Sequence, residues 1–441
     1  MTRDLAWEIL RSGHDAPSRL VPAVAERAGL EARDRALLAR LVRTEVQRRG
    51  TLHALVRTFA KGKPSPDLAA FLRLGLAQLF FLDRVPNHAA VSETVRAASD
   101  HLGLSKGKYV NGVLRSALRA SRPERSGDPR RDLVLREFSF AEAVFADPVE
   151  HPYLWAEDAL SMPARLFKGW VKRFGPEAAR SLAEACLEDP RLSLRVVRGE
   201  REALAEELRA CGVATARGQH PAILTAAPED LEAALGAEAF AQGRLTVQGE
   251  SALRAAELCG ASRGERWLDL CAAPGGKTAV LAACGAAVVA CDVSEEKLLR
   301  LRTTLARLGL GAQVETRLLV GDGPLESGEF DGALVDAPCS NTGVLARRPE
   351  ARWRFGPKTR KTLAALQAGL LAQAAAQVRP GGVLVYSTCS IEPDENEQRV
   401  RGFIEEHGEW SLERELTGFP HPTSPPGPVD GGFAARLVRR G

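Results

Sequence analysis

The chain has 441 residues, a net charge of +4, and 45% hydrophobic and 26% charged residues. That length exceeds what one hydrophobic core fills and points to about three domains, while the balance excludes wholesale disorder and a fibrous repeat. No stretch of about 20 apolar residues occurs, and Met1 to Leu20 carries Arg3, Asp4, Glu8, Arg11, His14 and Asp15, so no membrane span or secretory signal is expected and the location reads as cytoplasmic.

From Met1 to Arg122 apolar residues recur at helical spacing, as in "ARDRALLARLVRTEVQRRGTLHALVRTFA" and "DLAAFLRLGLAQLFFLDR", which predicts an all-α domain over residues 1–132. "RPERSGDPRRD" is polar and rich in turn formers, and reads as a linker or domain edge. A second stretch, 147–240, mixes helical material with "LSLRVV" and "PAILTA" and reads as a small α+β unit. From 241 to 441 short apolar runs ("RWLDL", "AAVVACD", "FDGALVDAP", "GGVLVYST") alternate with helical ones, the pattern of a mostly parallel α/β sheet covered on both faces. No heptad or apolar stripe argues for more than a monomer.

Ligands of open α/β sheets bind outside the carboxyl ends of the strands. At those ends stand the turn Cys271-Ala272-Ala273-Pro274-Gly275-Gly276-Lys277, then Asp292, Asp322, Asp336 with Cys339, and Cys389. "GGKT" stops short of a phosphate-cradling loop, because the glycine that such a loop needs is Cys271. Two glycines followed about twenty residues later by an acid suit a ribose-bearing cofactor instead. The eight cysteines lack paired C-x-x-C spacing, which argues against disulfides and a metal site. Most free cysteines are inert buried hydrophobes, yet Cys339 and Cys389 follow strands among hydroxyl side chains, where a thiolate nucleophile is expected.

"LDLCAAPGGKT", "DAPCSNTGVLARRPEARWR" and "YSTCSIEPDENE" resemble the signature motifs of the RNA cytosine-5 methyltransferases of the bacterial RsmB/Sun (Fmu) type, and "LRLGLAQLFFLDRVPNHAAVSETV" with "KGKYVNGVLRSALR" resembles the NusB-like RNA-binding domain at their front. The resemblance implies a Rossmann-like class I methyltransferase domain that binds S-adenosylmethionine through Cys271 to Lys277, Asp292, Asp322 and Asp336. It also implies that Cys389 is the nucleophile, that Asp336 and Lys277 lie at the reacting centre and that Cys339 serves product release. The expected substrate is RNA, 16S rRNA first, with tRNA as the alternative. A catalytically silent RNA-binding factor and a nucleotide hydrolase are the rivals from other classes.

Such a substrate calls for phosphate contacts and aromatic faces. The run from Arg347 to Lys361 offers Arg347, Arg348, Arg352, Trp353 and Arg354 as an RNA track, which Lys61, Lys63, Lys106, Lys108, Arg115 and Arg119 extend on the helical domain. Three positions depart from the family pattern: Asn341 in place of glycine, Val197 in place of asparagine and Gly432 in place of an aromatic residue.

Overall fold

The computed structural model describes residues 1–319, 329–420 and 430–441. Its contacts divide the chain into two compact units. One comprises Met1–Glu188 with Arg348–Phe355, and the other Asp189–Arg347 with Gly356–Gly441.

The first unit is helical, as the periodicity predicts. Its central helix, Pro66–Phe81, starts where Ser65 accepts from the amide of Leu68 and Pro66 takes the first turn. Phe71, Leu72, Leu74, Leu76 and Phe80 are fully buried on it. The buried Glu45 carboxylate pairs with Arg49 and Arg73. Burial alone would raise its pKa, and the two guanidiniums overcome that and hold it down at about 2.

The expected linker is an ordered part of this unit. Strand β1 (Ser121–Arg122) pairs antiparallel with β2 (Ser139–Phe140), and between them Asp132 accepts from the amides of Ser126 and Gly127 and the Ser126 hydroxyl at 2.7–3.0 Å. The helices Pro152–Ala159, Ala164–Phe174 and Pro176–Ala185 also belong here, so the helical part of the expected middle domain packs with the N-terminal bundle.

The sheet part of that domain belongs to the second unit. Strands β3 (Leu192–Val196), β4 (Thr215–Arg217), β5 (Ile223–Ala226) and β6 (Leu245–Val247) form an antiparallel sheet in the order β4-β5-β3-β6. Arg307 of the helix Glu295–Leu308 donates to the carbonyls of Phe240 and Leu245 at 2.6 and 2.9 Å, so this sheet is pinned to the domain that follows it.

That domain holds seven strands, β7 (Arg266–Asp269), β8 (Ala287–Asp292), β9 (Val314–Leu318), β10 (Phe330–Asp336), β11 (Val378–Thr388), β12 (Trp410–Gly418) and β13 (Gly432–Arg439), ordered β12-β13-β11-β10-β7-β8-β9. The first five are parallel and the last two form an antiparallel edge. Buried on both faces, the parallel strands carry continuous apolar runs: Leu268, Ala290, Ala333, Leu334, Val335 and Leu384 are nearly or fully inaccessible. From β7 the chain moves outward to β8 and β9, then returns to place β10 on the other side of β7. The resulting crevice lies at the carboxyl ends of β7 and β10, the switch point where ligands of such sheets bind.

Candidate active site

At the end of β7 the chain turns sharply through Leu270 to Gly275 into the helix Gly276–Ala283. Gly275 has a φ of +99°, and a Cβ there would meet Leu301 Cγ at 3.0 Å, so only glycine fits without strain. The amide of Ala272 donates to Cys291 of β8, and Gly275 donates back to Ala272. Beneath the turn lies Asp269, about 1% exposed. Burial pushes its carboxyl up to about 7, with the Thr278 hydroxyl at 2.7 Å opposing the shift. Asp292 ends β8 beside the exposed Val293 and accepts from the Ser294 amide and the Lys297 ammonium, each at 3.2 Å. Asp322 lies outside the described residues.

On the other side of the crevice Asp336 ends β10, in register with Ser387 of β11. Its carboxylate takes the Lys277 ammonium on one oxygen at 2.6 Å and the Ser387 hydroxyl on the other at 2.9 Å. Burial favours neutral lysine, yet the adjacent Asp336 charge outweighs it and keeps the Lys277 pKa above its ordinary value.

The loops after β10 and β11 bring Cys339 and Cys389 together, with their sulfurs 3.2 Å apart. Cys339 is buried and Cys389 half-exposed. The contact with Cys389 and burial raise the Cys339 thiol well above the usual range. Gly343 makes the approach possible: a Cβ there would lie 2.7 Å from the Gly431 backbone and 2.8 Å from the Cys389 carbonyl.

The sequence reading overlooks what holds these loops. Glu395 accepts from the Ser340 amide at 2.9 Å, from the Ser340 hydroxyl, from the Ser390 hydroxyl at 2.5 Å and from the Gln367 amide at 3.1 Å. Tyr386 donates to the Glu395 carbonyl at 2.7 Å. Glu395 is about 1% exposed, so one buried carboxylate ties both cysteine loops together. Its only signal in sequence is an acid six residues beyond Cys389. Gln248, with both amide atoms buried and unpartnered, packs against Gly276 and is likewise missed.

The basic run requires a correction. Arg352, expected to reach RNA, is fully buried in the helical unit and donates to the carbonyls of Ser161 and Cys186 at 3.2 and 2.9 Å. Trp353 donates its indole N–H to Val46 at 2.8 Å, and Arg354 lies half-buried in the same segment. In the second unit Arg347 binds Asp430 at 2.6 Å and the Arg191 carbonyl at 2.9 Å. A continuous solvated track is therefore not formed. Arg348, Lys358 and Lys361 are exposed, as are Lys61, Lys63, Lys106, Lys108, Arg115 and Arg119. Of the departures, Val197 packs against the apolar cluster that includes Ala272, Leu301 and Leu305, and Gly432 begins β13, where a Cβ would stand 3.0 Å from the Thr388 carbonyl. Among the described residues no helix is long and apolar enough to cross a membrane, and no cluster of potential metal ligands forms.

Comparison with known proteins agrees with this architecture. Residues 258–422 match the model for 16S rRNA methyltransferase RsmB/F, and residues 2–119 match that of the NusB family. The chain is 31% identical over 434 residues to the probable ribosomal RNA small subunit methyltransferase B of Bacillus subtilis, covering 94% of this chain and 91% of that one. The crystal structure of PH0851 superposes with a TM-score of 0.75 at 24% identity, over 99% of this chain and 98% of that one. That of NSun6 from Pyrococcus horikoshii with SFG, an S-adenosylmethionine analogue, superposes with a TM-score of 0.54 at 21% identity, over 63% and 98%. Matched along nearly its whole length, the chain belongs to the RsmB/F family of 16S rRNA methyltransferases.

Proposed function

We propose that this chain transfers a methyl group from S-adenosylmethionine to carbon 5 of a cytosine in 16S rRNA, through a covalent bond between Cys389 and carbon 6 of the ring. The observation that carries the reading is the pair of sulfurs 3.2 Å apart, one buried and one half-exposed, beside the Lys277–Asp336 ion pair. Two thiols this close cannot both ionise readily. Cys339, raised by its neighbour and by burial, keeps its proton, which leaves Cys389 as the sulfur that adds to the ring, with the Lys277 ammonium nearby.

The residues around the glycine turn fit the cofactor. Gly275 takes the left-handed backbone that shapes the turn, Asp292 retains lone pairs for a ribose diol, and the exposed Val293 offers an apolar surface to a base. When bound, S-adenosylmethionine supplies its methyl group as an electrophile.

Carbon 5 of cytosine is a weak nucleophile. As the Cys389 sulfur gives up its proton to water and bonds to carbon 6, the ring double bond opens toward carbon 5 and the ring nitrogen takes a proton from water, so that carbon 5 gains enamine character. Asp336, with each oxygen already oriented by Lys277 or Ser387, still has lone pairs to accept from that N–H. After methylation the carbon 5 proton leaves to water, the carbon–sulfur bond breaks, the double bond returns and the ring nitrogen gives its added proton back to water; Cys339 is placed to act at this release. The target base must lie in a single strand or be flipped out, since attack needs an open ring face.

The test is a denaturing gel for protein–RNA adducts, using unmethylated 16S rRNA, S-adenosylmethionine and the wild-type, Cys339→Ala and Cys389→Ala proteins. The expected result is an adduct that accumulates with Cys339→Ala and disappears with Cys389→Ala. An adduct on tRNA alone would move the substrate to tRNA, and none on either RNA despite cofactor binding would overturn the covalent route.

A further inference from the structure

Asn341, which stands where the family pattern has glycine, occupies the space between the two cysteine loops. Its backbone is left-handed, with a φ of +61°, a conformation that asparagine tolerates better than most residues. The side-chain Nδ2 lies 2.7 Å from the carbonyl oxygen of Cys339, and Oδ1 lies 3.2 Å from the sulfur of Cys389.

A carbonyl oxygen can only accept, so the amide nitrogen must face Cys339. That orientation leaves Oδ1, an acceptor, toward Cys389. The Cys389 S–H can donate to it, whereas a thiolate there would face the negative end of the amide dipole. Turning the amide to offer its N–H to the sulfur would set Oδ1 against the Cys339 carbonyl and forfeit the shorter hydrogen bond.

We propose that Asn341 is a positioning residue that keeps the Cys389 thiol protonated and fixed in the resting site, so that the nucleophile is freed for addition only when this hydrogen bond breaks. The proposal rests on reading Cys389 as the nucleophile. Other ionisable groups facing the sulfur include the Cys339 thiol at 3.2 Å and the Lys277 ammonium with its partner Asp336, while Glu395 lies behind Cys339. These groups are the same in Asn341 variants, so a change in Cys389 ionisation between variants reports the amide.

The experiment measures iodoacetamide alkylation of the Cys389 peptide by mass spectrometry from pH 6 to 10, in the full-length wild-type, Asn341→Gly and Asn341→Asp proteins. Glycine adopts the left-handed backbone freely and removes the acceptor. With one hydrogen bond to the thiol form lost, Asn341→Gly is expected to alkylate about three- to tenfold faster near neutral pH, its profile displaced to lower pH. Asn341→Asp puts a carboxylate beside the sulfur and is expected to react more slowly than wild type, its profile displaced to higher pH.

A purely structural role would loosen the loop in both variants and move both profiles the same way. That result, or profiles that coincide with wild type, overturns the proposal. If Asn341→Gly does not fold, the direction of the Asn341→Asp shift decides. The two readings fail separately: opposite shifts together with an adduct that survives Cys389→Ala would keep the hydrogen-bond role and remove the nucleophile assignment.

Discussion

Ala337–Gly343 and Arg348–Phe355 are neighbours in the chain, both dense in the residue types that chemistry or RNA would use, and folding treats them oppositely. The first stays with the sheet that produces it and delivers Cys339, Ser340 and Asn341 to the crevice. The second is built into the helical unit, where Arg352 spends its guanidinium on two buried carbonyls and Trp353 spends its N–H on a third. Long cationic side chains carry enough apolar surface and enough donors to be core residues. Their presence near a site is no measure of their distance from solvent.

The largest effect that separates the two stretches is catalytic. Cys389→Ala, which acts on the first, is expected to lower methyl transfer by at least about 10⁴-fold, as removal of a covalent nucleophile does, with the melting temperature unchanged. Glu395 gives the next largest. Glu395→Ala strands the buried Ser340 amide and leaves the Ser340 and Ser390 hydroxyls with each other and Thr342, and an unsatisfied buried donor costs about 1–3 kcal/mol. Its turnover should fall more than its KM rises, and Glu395→Gln, which keeps an acceptor, should recover part of it. Equal loss in both variants would show that the charge matters rather than the positioning of the loops.

For the second stretch the expected effect is on stability. Arg352→Met keeps the apolar stem but removes the hydrogen bonds to the Ser161 and Cys186 carbonyls, leaving Cys186 with Gln47 at 3.4 Å, at a cost of about 3 kcal/mol, because hydrogen bonds from a charged donor contribute about 1.5–3 kcal/mol each. Burial lowers the Arg352 pKa to about 10, so the charge is held there at a cost which those two carbonyls offset. Thermal melting should show the loss in full, while cofactor binding stays at the wild-type level. A Cys389-like collapse of activity without any change in melting would contradict the assignment of Arg352 to the core.

How much of this was legible in the sequence follows the same divide. In a parallel sheet every strand ends at one edge, so the apolar runs alone bring Asp292, Asp336, Cys339 and Cys389 to one rim, and the left-handed turn at Gly275 follows from its glycines. The fate of Arg352 was not legible, because a solvated basic face and a buried arginine share the same letters. What distinguishes them is the pair of carbonyls at Ser161 and Cys186, distant in sequence. Glu395 was hidden for a related reason: an acid in a polar loop is ordinary until two separate loops converge on it. The edge strand β12 carries Glu413, Arg414 and Glu415 in succession and lacks the apolar run that marks the interior strands.

The smallest effect tests what remains of the basic run. Arg348, Lys358 and Lys361 are exposed, and if they touch phosphates each releases condensed counterions when RNA binds. The logarithm of affinity then falls with the logarithm of salt concentration with a slope of about 0.7 for each contact on a single strand. Arg348→Ala, Lys358→Ala and Lys361→Ala are each expected to lower that slope by about this amount and to leave melting unchanged, whereas Arg352→Met should leave the slope as it is. An unchanged slope in all three alanine variants would mean that the RNA is carried elsewhere, with the exposed cations of the helix Leu104–Ala120 next to be tested. The contrast between slope and melting temperature separates an arginine that meets RNA from one that holds the fold, which inspection of the sequence run could not do.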